Sequence, residues 1–415
     1  MPIKISHSWD RPSHLLQKRE NHILKLSVLA ASNLGEEPRL PLNLAIAFDS
    51  SGSMAGDKLV QAKESCKSIL SILRPIDRLS LAAFSSSLHS VVEEAQNSPE
   101  NIRKLESELS KISPAGTTRT DLALDWLIST LASKNGLIKT AILITDGHST
   151  DFRGRIISEF SSLLEKATEM AQSGISLFTI GLGNPADFNT SFLVDLATTA
   201  MGSFLLAQNP KTLEPQLKQK LLNIQKITSN SGKIRIIPRI PSVKIVSACQ
   251  IKPDFREIRL FGDQQFFHIN HLSCEEASQF LISVEVPSSQ FGASPGEKEI
   301  LRIEFQENDE SEIVELKVPL SYVLSLFEAS QINREVDQDR LIWELNRCTD
   351  ELNRSTDVNR TGQLLENIVF LAENTGKTNV AQIAKQTLQN FLKTGILPPE
   401  KKTGILVDAR NTRDG

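Results

Sequence analysis

Asp49-Ser-Ser-Gly-Ser-Met (49–54) follows directly on the apolar run Leu42–Phe48. An apolar run seeks burial, whereas a carboxylate with hydroxyls beside it needs a hydrogen-bond network or a cation. Ser51 and Ser53 stand at alternate positions and can project to one side of a tight loop that Gly52 permits. A second hydroxyl-rich stretch, Pro-Ala-Gly-Thr-Thr-Arg-Thr-Asp (114–121), precedes a helical pattern. The run Thr140–Thr145 then ends in Thr-Asp-Gly and presents Asp146. All these donors are oxygens. Hard oxygens suit Mg²⁺, Ca²⁺ or Mn²⁺ and do not favour Zn²⁺ or Cu⁺. Hydroxyls bound directly, with some carboxylate contact made through water, leave such an ion under-neutralised and open to one more anionic ligand from outside. Any one of these residues alone reads better as a helix cap. Together, at strand ends, they read as a cation site.

The elements that must position these loops are legible from periodicity. From 41 to about 225, the short runs Leu42–Phe48, Leu79–Phe84, Thr140–Thr145 and Ile175–Ile180 alternate with amphipathic stretches at 58–73, 98–112, 122–132, 155–172 and 190–200. Near-continuous apolar runs suit strands covered on both faces, and their alternation with helices predicts a doubly wound, mostly parallel α/β sheet. In such folds functional groups gather at the carboxyl ends of the strands, where Asp49 and Asp146 fall. From 232 to 322 the texture changes to strand-like runs with apolar–polar alternation, which predicts an antiparallel β-sandwich. Residues 1–40 also read as strands, expected to pair with that sandwich. Residues 325–395 predict a helical region, and 396–415, with Lys-Thr-Gly-Ile-Leu repeated at 393–397 and 402–406, a flexible tail.

The three loops carry a resemblance. Asp49-Ser-Ser-Gly-Ser53 resembles the Asp-x-Ser-x-Ser signature of von Willebrand factor A (VWA), or integrin I-like, domains. Gly116-Thr-Thr-Arg-Thr-Asp-Leu-Ala-Leu124 resembles their second loop, and Ile142-Leu-Ile-Thr-Asp-Gly147 their third element. The resemblance covers roughly 41–225, and the flanking parts look like those of larger bacterial VWA proteins. It implies a metal-ion-dependent adhesion site at Asp49, Ser51, Ser53, Thr118 and Asp146. Thr118 is preferred to Thr117 because it keeps the Thr-x-Thr spacing to Thr120. It further implies a non-enzymatic protein–protein contact in which a partner's Asp or Glu completes the coordination of Mg²⁺, or of Ca²⁺ or Mn²⁺.

Around that site Arg119, His148, Arg153 and Arg155 are candidates for a positive rim that favours an acidic partner. Two other readings stand beside the adhesion site. One is a scaffold contacting partners through sandwich and helices, with a structural metal. The other is a Mg²⁺-dependent phosphohydrolase, which would need a second Asp where Ser51 stands. Neither a phosphate-binding glycine loop nor a dinucleotide fingerprint occurs. Among 415 residues, 40% are hydrophobic and 23% charged, and the net charge of −4 gives no argument for nucleic-acid binding. No apolar run approaches a membrane span, and the first residues lack a secretory pattern, so a cytoplasmic protein is expected. Four scattered cysteines are expected to be reduced. His268, His271 and Cys274 at three-residue intervals invite a zinc reading, but turn and core roles fit them better.

Overall fold

The computed structural model describes residues 3–30, 40–132, 137–224, 227–240, 242–260, 265–289, 294–307 and 311–410. Two compact units emerge: Pro38–Asn230 with Leu397–Val407, and Met1–Glu37 with Ser231–Ile396 and Asp408–Gly415. Three strands, β1 (Ile3–Trp9), β2 (Ser13–Leu15) and β3 (Glu20–Ala30), open the chain and belong to the second of these.

The α/β unit runs β4 (Leu42–Asp49), α1 (Asp57–Ile72), β5 (Arg78–Phe84), β6 (Leu88–Ala95), α2 (Pro99–Lys111), α3 (Thr120–Leu131), β7 (Ile138–Thr145), α4 (Ser161–Gln172), β8 (Ile175–Leu182), α5 (Thr190–Thr199), β9 (Phe204–Ala207) and α6 (Leu213–Ile224). Its sheet has the order β6-β5-β4-β7-β8-β9, parallel except for β6. Every residue of β4 is buried, as double coverage requires. Leu44, Ile46 and Phe48 face a core shared with Leu59, Ile69, Leu105 and Leu217 of α1, α2 and α6. Ala45 and Ala47 face the other, with Leu124, Leu127, Met170 and Phe192 of α3, α4 and α5. The parallel register sets Phe48 opposite Ile144, so Asp49 and Thr145–Asp146 leave adjacent strands at one edge.

Two boundaries differ from those read in the sequence. The stretch 155–172 becomes helical only at Ser161. Before it, Ile156 bridges to Thr150, and the Ile157 amide donates to the Ser149 carbonyl (3.0 Å), so these β-branched residues extend the loop. The expected flexible tail is instead helix α11 (Pro399–Arg410), numbered last in the chain. Pro399 opens it, and Thr403, Ile405, Leu406 and Ala409 are buried; Leu406 packs in the core beneath α3–α5, and the Thr403 hydroxyl meets that of Thr190 at 3.0 Å. Four apolar and small residues at helical spacing outweigh the polar remainder.

The second unit continues with β10 (Ile227–Pro238), β11 (Lys244–Lys252), β12 (Arg256–Ile258), β13 (Phe266–Ser273), β14 (Ser278–Val286), β15 (Gly296–Gln306) and β16 (Val314–Val323). One five-stranded sheet is ordered β1-β3-β14-β11-β12 and the other β13-β10-β15-β16-β2. β3 pairs antiparallel with β14, Leu26 opposite Phe280, so the N-terminal strands lie in the sandwich. Leu24, Leu26, Val28, Phe267, Phe280, Ile303 and Phe305 build its core. Helices α7 (Leu326–Ala329), α8 (Arg334–Arg354), α9 (Val358–Asn374) and α10 (Thr378–Thr394) follow within the expected helical region, α8 opening on an Asn333 cap. Among the described residues no helix is long and apolar enough to cross a membrane.

Candidate metal centre

Asp49 ends β4 fully buried. Its Oδ1 accepts the Ser51 amide (2.8 Å) and its Oδ2 the Thr145 hydroxyl (2.7 Å). Those bonds hold the carboxylate across the ends of β4 and β7. The loop that follows is pinned from both sides: the Gly52 amide donates to the Gly116 carbonyl (3.2 Å) and the Ala115 amide to the Ser50 carbonyl (2.9 Å). Hence the first and second loops are hydrogen-bonded to one another. Ser51 Oγ lies 3.0 Å from Ser53 Oγ, which in turn donates to Asp146 Oδ1 (2.8 Å). Asp146, also fully buried, receives Lys58 Nζ on its other oxygen at 2.7 Å.

Thr118 and Thr117 diverge. The Thr117 hydroxyl turns to Ser86 Oγ (3.1 Å). Thr118 Oγ1 lies against Gly147, where an added Cβ would come within 3.1 Å of it and 3.4 Å of Ser53 Oγ. Gly147 therefore leaves a space ringed by the hydroxyls of Ser53 and Thr118 beside Asp146. Five oxygen-bearing side chains from three loops thus gather at one sheet edge.

Two features escape the motif. Thr145 precedes Asp146 inside the strand and binds Asp49, a role its apolar neighbours conceal. Lys58, the second residue of α1, reaches back over Gly183, where φ is +95 and an added Cβ would meet Lys58 Cε at 2.9 Å. Its position nine residues after Asp49 was the available signal.

Electrostatically the centre is short of positive charge. Burial, above all, pushes the Asp49 carboxyl up to about 6; the Ser51 amide and Thr145 hydroxyl oppose that shift, and Asp146 adds to it. Lys58 is the cation paired with Asp146, and among the described residues no cation pairs with Asp49.

The rim candidates divide. Arg119 is held by Asp121 in a bidentate pair (2.8 and 2.6 Å), and Arg155 pairs with Asp151 (2.8 Å). Arg153 is exposed, its guanidinium 5.0 Å from the ring centroid of Phe152, itself 72% exposed. His148 is half-buried. The loop carrying Arg153 abuts the site, since Thr150 Oγ1 accepts the Thr118 amide (3.1 Å). As for the zinc reading, His268 packs edge-on against Phe266, while the side chain of His271 lies outside the described residues. All four cysteines are free thiols.

Fold and site together define a doubly wound α/β domain with an oxygen-donor cluster at the carboxyl edge of its sheet. Residues 43–219 match the family model of the von Willebrand factor type A domain, and the chain carries a VWA domain there. Among curated proteins it is similar to "Uncharacterized protein sll0103" of Synechocystis sp., 26% identical over 239 residues, which are 57% of this chain and 54% of that protein. It is also similar to inter-alpha-trypsin inhibitor heavy chain H2 of Sus scrofa, 28% identical over 188 residues, 43% of this chain and 20% of that protein. The chain thus spans about half the length of the first and a fifth of the second. Among solved structures, "von Willebrand factor type A from Catenulispora acidiphila" matches 99% of this chain and 97% of its own, with a TM-score of 0.80 and 16% identity. At that identity the likeness speaks for the fold alone.

Proposed function

We propose that the VWA domain is a non-enzymatic protein–protein interaction module. Asp49, Ser51, Ser53, Thr118 and Asp146 hold a divalent cation, Mg²⁺ by its donor set, and a partner's Asp or Glu completes the shell. The observation that carries this reading is two fully buried carboxylates served by one lysine, with Asp49 pushed up to about 6. The donors fit a hard cation, since each is a carboxylate or hydroxyl oxygen. Once bound, the ion supplies a positive charge at which an external carboxylate can dock.

The chain's own residues do the rest. The Thr145 hydroxyl and Ser51 amide orient Asp49, and the loop-to-loop bonds at Gly52 and Ala115 fix the hydroxyls before any partner arrives. Phe152 and Arg153 form the rim element most open to a partner, an apolar ring with a cation on it. Arg119 and Arg155 spend their charge on Asp121 and Asp151, so they contribute less than their number suggests.

Calorimetric titration of the full chain with Mg²⁺ tests the reading. Wild-type protein should bind about one ion at this centre, and a Ser51→Ala/Ser53→Ala double variant should bind it at least about tenfold more weakly with an unchanged circular dichroism spectrum. Equal affinity in the two would contradict it.

A further inference from the structure

A second cluster of ligating atoms lies in the β-sandwich, in a region the VWA domain does not include. His14 comes from β2, and Glu20 and His22 from β3. His14 Nδ1 and His22 Nε2 face each other at 3.0 Å, while Glu20 Oε1 lies 3.9 Å from the first and 4.0 Å from the second. The point equidistant from these three atoms is about 2.1 Å from each, the length of Zn–N and Zn–O bonds.

The outer atoms of the same side chains are already committed. His14 Nε2 lies 3.2 Å from the Pro287 carbonyl, and His22 Nδ1 lies 3.3 Å from the Arg11 carbonyl. A ring that donates its proton to such a carbonyl turns its other nitrogen, as a lone pair, toward the cluster. With both protons outward, the two inner nitrogens, 3.0 Å apart, present lone pairs to a cation between them; with one proton inward the same contact is an N–H···N hydrogen bond. Carbonyl partners on the far nitrogens are the usual outer shell of metal-bound histidines. Glu20 repeats the pattern: its Oε2 takes Arg11 Nη1 (2.8 Å) and Lys18 Nζ (2.9 Å), which turns Oε1 inward. Both rings are completely buried, which disfavours an imidazolium as the alternative source of positive charge.

We propose that His14, Glu20 and His22 bind a zinc ion that clasps the two sheets of the sandwich. β2 lies at the end of one sheet and β3 in the other, so the ion would join strands that exchange no ladder hydrogen bonds. Two imidazoles and one carboxylate select zinc over Mg²⁺ or Ca²⁺. A water fills the fourth position. The same two-His, one-Glu set also serves catalytic zinc, but burial of both rings and the Arg11–Lys18 cover on Glu20 favour a structural ion.

The test uses the untagged full chain, stripped with chelator, reloaded with Zn²⁺ in excess Mg²⁺, and assayed for metal by mass spectrometry. About one zinc per chain should remain in wild type and in Asp146→Ala, which disables the α/β centre alone. His22→Gln and Glu20→Gln should each weaken zinc at least about tenfold, and Co²⁺ should give the intense visible bands of a four-coordinate ion in wild type and Asp146→Ala but in neither sandwich variant. Should His22→Gln not fold, Glu20→Gln carries the comparison, because its side chain lies at the edge of the cluster. A folded wild-type chain that takes up no stoichiometric zinc, or zinc uptake indifferent to both substitutions, would overturn the proposal.

Discussion

Asp49 is a carboxylate placed where a fold alone would not put one. Its carboxyl sits at about 6 in the folded chain against an ordinary 3.8, so between those values the folded state binds more protons than the unfolded. In EDTA, stability should therefore fall as pH rises from about 4 to about 6, by on the order of 3 kcal/mol, and level off above. Asp49→Asn should lack that fall, and saturating Mg²⁺ should abolish it by favouring the ionised form. Urea unfolding of the two proteins across this pH range, with and without Mg²⁺, checks the sign. Lys58 carries the complementary expectation. Removing its ammonium in Lys58→Met leaves Asp146 buried without a cation and should cost about 1–3 kcal/mol in EDTA, discounted because Lys58 is partly exposed. Most of that loss should return with Mg²⁺; an equal loss in both media would count against a cation at this centre.

Among the elements, the α/β sheet was legible because β4, β5, β7 and β8 are buried on both faces and read as unbroken apolar runs. β6 was not, since it lies antiparallel at the sheet edge with His89, Ser90, Glu93 and Glu94 exposed, and it breaks the strand signal. The meeting of the loops that carry Asp49, Ser51, Ser53, Thr118 and Asp146 was legible from strand-end placement, whereas Lys58 and Thr145 act through contacts that only the fold creates. The His14, Glu20 and His22 cluster was equally hidden, because its members meet through the packing of one sheet on another. α11 was mistaken for a tail because proline and lysine dominate its start. Leu406→Ala should accordingly cost about 2–4 kcal/mol of α/β stability, read by chemical denaturation. A true tail residue would cost nothing. Gly202 makes a sharper demand: a Cβ there would lie 1.9 Å from the Leu177 carbonyl oxygen. Gly202→Ala should cost about 3 kcal/mol or more and shift the β8–β9 end of the sheet.

At the scale of the whole molecule, the VWA domain occupies the middle of the sequence, and the chain returns to it at Leu397–Val407. The second unit is assembled from both sides of that domain in sequence, β1–β3 before it and β10–β16 with α7–α10 after it. The proposed recognition at the α/β edge needs a cation, two carboxylates and a partner acid together, so removing any one should end it. Affinity capture from the native host's lysate compares wild type in Mg²⁺, wild type in EDTA and Asp146→Ala in Mg²⁺. The account predicts a partner retained only in the first, with Asp146→Ala still folded by circular dichroism. A partner retained equally in all three would contradict metal-bridged recognition and move the contact to the sandwich and helices.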